Sequence, residues 1–193
     1  MAVKPVDRRV QRTYKILHEA LVELIVEKGY EQVSVQDIID RANIGKSTFY
    51  SHFQDKEDLF LRGFENLWFM FEEQFAEHTH ETMEVWEISL IVFQHAQHYV
   101  NVYKALVGEA GGKLMSATMH KYLSLLMHNS LKLKWAGGKT VPLDLVGQHL
   151  ASSLINSLTW WVDHDLTYSA EQMNSMYRQL TQPAIESILQ TGQ

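Results

Sequence analysis

Almost every segment of this 193-residue chain repeats its apolar residues at intervals of three and four, and no segment sustains an apolar–polar alternation. That period turns one stripe of a helix toward a core, so the chain reads as all-α. Over about residues 9–28 the stripe is Ile16, Leu17, Ala20, Leu21, Leu24 and Ile25, and Gly29 stops it. Ser34-Val-Gln-Asp37 is a capping box that opens a short helix ending at Ala42. Asn43-Ile44-Gly45 then makes a tight turn from residues that tolerate positive φ, and a second short helix runs over about residues 46–53. Asp55 caps a longer, aromatic-rich helix over about 56–75. Further helices are expected over 85–107, 113–135, 142–163 and 170–190, with breaks at Gly111-Gly112 and Gly137-Gly138 and a kink at Pro183.

Composition narrows the chemistry. With no cysteine, disulfide scaffolds, thiol catalysis and cysteine-bound metals are excluded. The basic start is followed by Gln11, Arg12, Tyr14 and Lys15 instead of an apolar run, and the most apolar stretch, 88–93, is too short to span a bilayer, so a cytoplasmic location without membrane contact is expected. Residues 1–62 balance ten basic against ten acidic side chains, and the remainder supplies the whole net charge of −6. That total argues mildly against nucleic acid, but a local cationic face needs only a few side chains, and Lys4, Arg8, Arg9 and Arg12 open the chain against Asp7 alone. No spacing supports a catalytic triad, so the chain is read as a non-enzyme without cofactor. Gly45-Lys46-Ser47-Thr48 ends like a phosphate loop, but Asp40 stands where that motif needs glycine. Glu77, His78, His80 and Glu81 share one loop, but no ligand spacing makes them a metal site.

Two short helices joined by a tight turn and braced by a long one form the arrangement that presents its second helix to a DNA major groove. Ile38, Ile39, Ala42, Ile44, Phe49 and Phe53 supply its apolar support, leaving Lys46, Ser47, Thr48, Tyr50, Ser51 and His52 outward. An ordinary helical hairpin would share this spacing. The stretch from Gly29 to Phe60, above all Phe-Tyr-x-His-Phe-x-x-Lys-Glu-x-Leu at 49–59, resembles the DNA-binding domain of the TetR/AcrR family of transcriptional regulators. The resemblance implies an N-terminal three-helix helix-turn-helix domain over 1–55 and a helical-bundle ligand-binding and dimerisation domain over 56–193. It puts Ser34 at the cap where a helix start meets phosphate, Lys46, Ser47, Thr48 and Ser51 on the base-reading helix, and Tyr50, His52 and Lys56 on phosphates. Asn43 and Gly45 depart from the usual glycine and serine; both keep backbone freedom, and Gly45 removes a hydroxyl.

The implied function is a repressor released from a palindromic DNA operator by a small effector. Trp160-Trp161 through Met173 also resembles a subgroup of the family's C-terminal domains that includes a coactivator, so the alternative is an interaction protein without its own DNA binding. A helical small-molecule binder or enzyme without DNA contact is more distant. For the effector, an apolar or aromatic pocket is expected around Trp68, Phe71, Phe93, His95, Tyr99, Tyr103, Met119 and Tyr122, and the lack of arginine between Gly63 and Tyr177 disfavours a multiply anionic ligand. For a homodimer, the eighteen residues without formal charge between Asp144 and Asp163 suggest a helix buried on two sides. Leu150, Leu154, Leu158 and Trp161, with Met173, Met176, Tyr177 and Leu180 from the last helix, are the expected interface; intrachain core is the competing reading.

Overall fold

The computed structural model describes residues 8–63, 84–106, 110–135 and 141–190, and these contain helices and turns without a strand. The first helix, α1 (Arg8–Lys28), buries Leu17, Leu21 and Ile25 completely. It ends at Gly29, whose φ of 78° and ψ of 149° suit only glycine. A 3-10 turn (Tyr30–Gln32) leads to α2 (Val35–Ala42) and α3 (Lys46–His52), and residues 56–63 form the described part of α4. Among these elements Tyr30, Ile38, Phe49, Phe53, Leu59 and Phe60 complete one apolar cluster with α1. Leu59 and Phe60 lie beyond the 55/56 boundary expected from sequence, yet they are buried in the first core.

The second cluster is built by α5 (Val85–His98), α7 (Ala110–Lys132), α8 (Leu143–Asp163) and α9 (Ala170–Gln190). Phe93 packs edge-on against Trp161 at 5.6 Å and near Tyr177 at 6.5 Å, and the Tyr177 hydroxyl donates to the Leu150 carbonyl at 2.9 Å. Helices α7 and α8 approach closely at Gly147, where a Cβ would sit 2.9 Å from the Ser124 carbonyl oxygen. Between the clusters runs α6 (Val100–Leu106); its Leu106 is buried in the first core and its Tyr103 in the second.

Two boundaries differ from the sequence reading. The helix expected over 85–107 breaks at Tyr99 (φ −107°, ψ 33°), where neither glycine nor proline gives a signal and the ring instead packs 4.6 Å from both His95 and His98. Gly111 and Gly112 lie inside the first turn of α7 rather than ending a helix. Helix α9 spans 170–190 as expected, with the exposed Pro183 inside it.

Candidate nucleic-acid interface and effector cavities

The short helices are fixed by local chemistry. Ser34 accepts from the Asp37 amide at 3.2 Å while the Asp37 carboxylate takes the Ser34 amide at 2.8 Å, so the capping box is complete. Lys28 adds an ion pair to Asp37 at 2.9 Å, and the Ser34 hydrogen bonds with that lysine hold the Asp37 carboxyl well below the usual carboxylate range. Across the same seam, Arg41 spans both oxygens of Glu27 at 2.8 and 2.6 Å and reaches Glu23 at 3.1 Å, tying α2 to α1. Asn43 takes the left-handed turn at φ 51°, and Ile44 donates back to the Ile39 carbonyl. Gly45 sits at φ −67° as the cap of α3 without a side-chain bond, so the turn uses the freedom of Asn43 alone.

On this base α3 buries Phe49 and leaves its other side to solvent. Lys46, Ser47, Tyr50 and Ser51 are exposed, and Thr48 and His52 half-buried. Tyr50 stands edge-on to Phe49 at 5.3 Å, its position fixed by the core ring beneath it. The Ser51 hydroxyl donates to the Thr48 carbonyl at 2.7 Å, which leaves its oxygen lone pairs as acceptors. Ser34, Lys46, Ser47, Thr48, Tyr50, Ser51 and His52 therefore fall on the α2–turn–α3 unit as the sequence implied.

Lys56 is the correction. Its ammonium donates to the carbonyls of Tyr30 at 2.8 Å, Val33 at 2.8 Å and Glu31 at 3.3 Å, and lies 4.5 Å from the Tyr30 ring centre. An ammonium has three donors, so Lys56 clamps α4 to the turn before α2 instead of presenting charge to a phosphate. The signal that would have shown this is tertiary: the carbonyls lie 23–26 residues earlier in the chain.

Two cavities adjoin α6. One, about 540 Å³, lies between α6, α7 and α8 and is walled by Tyr103, Met115, Met119, Ile155 and Leu158, with Lys113 and His120 as polar members. The His120 Nε2 and Ser152 hydroxyl are 2.9 Å apart. The other, about 520 Å³, lies between α1, α4 and the α5–α6 elbow and includes His18, Phe60, His95, Tyr99 and Tyr103. His95 Nδ1 and the Tyr103 hydroxyl are 3.1 Å apart. Burial pushes the His95 imidazole down to about 4 and the Tyr103 phenol above its usual range, so at neutral pH a neutral phenol and a neutral ring share this hydrogen bond.

Of the expected effector residues, His95, Tyr99, Tyr103 and Met119 line these cavities. Phe93 does not: it is fully buried between Trp161 and Tyr177. Tyr122 packs on the second core outside both cavities. Trp68 and Phe71 lie outside the described residues, as do His78 and His80. Among the described residues no three His, Cys, Asp or Glu gather as a metal site, and no helix is long and apolar enough to cross a membrane. His18, Val102 and His120 were missed because they join the cavity walls only through packing between distant helices.

The expected dimer stripe is also corrected. Leu150, Leu154, Leu158, Trp161, Met173 and Tyr177 are buried within one protomer, and Met176 is packed partly against that core. Only Leu180, 75% exposed, is open to a partner, and the outer faces of α8 and α9 instead show Leu145, Trp160 and Leu180. The reason is that α7 and α5 cover the apolar stripes first.

Residues 17–62, the span that carries this helix-turn-helix unit, match the model of "Bacterial regulatory proteins, tetR family". The chain is 43% identical over 54 residues to the dhaKLM operon transcriptional activator DhaS of Lactococcus lactis, covering 28% of this chain and 29% of that protein. It is 31% identical over 83 residues to the fatty acid metabolism regulator protein of Bacillus subtilis, covering 42% of this chain and 43% of that protein. The matched segments thus span less than half the length of either relative. In fold, the TetR transcriptional regulator from Streptococcus agalactiae superposes with a TM-score of 0.66 at 26% identity, over 91% of this chain and 96% of the other. Residues 17–62 of the chain thus form a helix-turn-helix unit of the kind found in the tetR family of bacterial regulatory proteins.

Proposed function

We propose that this protein is a homodimeric transcriptional repressor that binds a palindromic DNA operator through α3 and leaves it when an apolar or aromatic effector occupies the helical bundle. The observation that carries the reading is the intact reading surface. Lys46, Ser47, Thr48, Tyr50 and Ser51 project from a helix whose underside is pinned by Phe49, beside a capped and ion-paired α2. The Ser47 and Tyr50 hydroxyls suit phosphate contacts that set register, while Lys46 suits a guanine edge and the Thr48 methyl a thymine. We place the domain boundary beyond Phe60, since Leu59 and Phe60 belong to the first core. The homodimer uses the outer faces of α8 and α9 around Leu145, Trp160 and Leu180, because a twofold site requires a twofold protein.

The effector reading is supported by the cavity between α6, α7 and α8, whose volume suits a small molecule and whose walls are mostly apolar. Similarity to an activator favours a second reading of the output alone, activation in place of repression, with the same DNA contact. Fluorescence anisotropy with duplex DNA flanking the protein's own gene tests the shared step. Tyr50→Ala should weaken binding to every sequence and flatten the salt slope by about one unit, while Lys46→Ala should change preference among sequences at about 1–3 kcal/mol per affected base pair. Wild-type-like binding by both variants would remove the assignment.

A further inference from the structure

The cavity between α1, α4 and the α5–α6 elbow draws its walls from both domains and differs in charge from its neighbour. Val22, Phe60, Val102 and Leu106 make it apolar, and Glu19 and Glu23, one turn apart on α1, supply its carboxylates. No lysine or arginine is among its described lining residues. Its two imidazoles, His18 and His95, are both shifted down by burial and add no positive charge at neutral pH. Both side chains are more than half exposed, with Glu23 meeting Arg41 at 3.1 Å and Glu19 lying 3.7 Å from Lys15, so a ligand's ammonium shares each carboxylate with that partner. The cavity between α6, α7 and α8 has the reverse character, with Lys113 and no carboxylate among its described lining.

We propose that the interdomain cavity is a second effector site, specific for a compact aromatic monocation, whose ring packs against Phe60 and Tyr99 while its ammonium reaches Glu19 and Glu23. A carboxylate ligand would meet like charge there, and a neutral one would leave the two carboxylates without gain. Tyr99, about half exposed at the rim, adds a ring face for the cation.

The regulatory consequence rests on the repressor reading above, whereas the binding itself does not. His18 of α1 lies directly on Gly63 of α4, so closely that a Cβ at residue 63 would come within 2.1 Å of its ring. There is no slack at that contact, so an occupant pressing on His18 and Phe60 moves α1 and α4 together relative to α6. Helix α1 carries α2 through the Arg41 and Lys28 ion pairs, and α2 carries α3. A ligand preferring the displaced arrangement therefore releases DNA by that differential affinity.

Calorimetry with three indoles that carry a short side chain of different charge tests the site: tryptamine, indole-3-propionamide and indole-3-propionate. Tryptamine should bind about tenfold tighter than the amide, with the acid weakest. The Glu19→Gln/Glu23→Gln double variant should bring tryptamine down to the affinity of the amide while the amide stays unchanged, which also shows that the variant is folded. Val22→Trp, which fills the cavity, should abolish all three. Equal binding of the three indoles, tightest binding of the acid, or no heat from tryptamine would overturn the proposal. A parallel gel-shift separates the two readings. Tryptamine binding in a chain that never retains DNA would sink the repressor reading alone, whereas DNA retention with no tryptamine binding would sink this site alone.

Discussion

Replacing Lys56 with methionine removes an ammonium and keeps most of an apolar stem, which isolates the clamp between α4 and the Tyr30–Gln32 turn. Two of its hydrogen bonds, to Tyr30 and Val33, are 2.8 Å long and partly buried; the third, to Glu31, is longer and exposed. A hydrogen bond to a charged group contributes about 1.5–3 kcal/mol, and the freed carbonyls can recover some water, so the two short bonds together should cost about 2–3 kcal/mol. The cation over the Tyr30 ring adds roughly 0.5–1 kcal/mol. In a chain of this length each kcal/mol moves the melting temperature by about 2–4 °C, which gives a fall of roughly 5–16 °C. Thermal melts followed by circular dichroism measure it, and DNA titrations against salt complete the test. A structural clamp leaves the salt slope unchanged in the folded variant, whereas a phosphate contact flattens it by about one unit. An unaltered melting temperature with a flattened slope would refute the clamp and restore Lys56 to the DNA backbone.

Three further outcomes follow from individual contacts. Gly63→Ala puts a methyl within 2.1 Å of the His18 ring and should destabilise the fold by about 1–3 kcal/mol, with His18→Ala in the same chain restoring it; a silent Gly63→Ala variant would mean that the α1–α4 contact is looser than described. His95 has a folded pKa of about 4 against 6.5, so the unfolded chain takes up its proton first as pH falls; the stability present above 6.5 is lost toward pH 4, and His95→Gln should reduce that slope in melts taken across the interval. Leu180→Glu should convert dimer to monomer in sedimentation at micromolar concentration while the melt stays cooperative, whereas Leu154→Ala should cost about 2–5 kcal/mol of stability through a core cavity and leave assembly intact; the opposite pattern would return the buried stripe to the interface.

What could be read from the sequence was local. The Ser34–Asp37 box and the Ser169–Gln172 box close within four residues, and Asn43 is one of few residues suited to the left-handed turn, so each cap formed where the pattern placed it. The support of the recognition helix was legible for the same reason, since Ile38, Ile39, Phe49 and Phe53 lie within one short unit. What failed was tertiary. An apolar stripe on α8 looks identical whether its own α7 or a second copy covers it, and only the backbone approach at Gly147 decides for α7. A lysine after a cap signals charge, but the carbonyls that hold Lys56 arrive from the far side of α2. Glycine in a first helical turn costs little because few intrahelical bonds depend on it there, so Gly111-Gly112 gave a false stop. The break at Tyr99 had the inverse problem: the rings of His95, His98 and Tyr99 pack together there, but the chain has no breaker.

The central claim is that α3 reads duplex DNA as one half of a twofold pair, and selection from a pool of random duplexes by the full-length protein tests it most directly. The account predicts a recovered pool sharing an inverted repeat whose half-site centres lie about one helical turn, 10–10.5 base pairs, or a multiple of it apart, with Lys46→Ala shifting the preference at symmetry-related positions in both halves. A pool that remains random, or one enriched in a site without twofold symmetry, would contradict it.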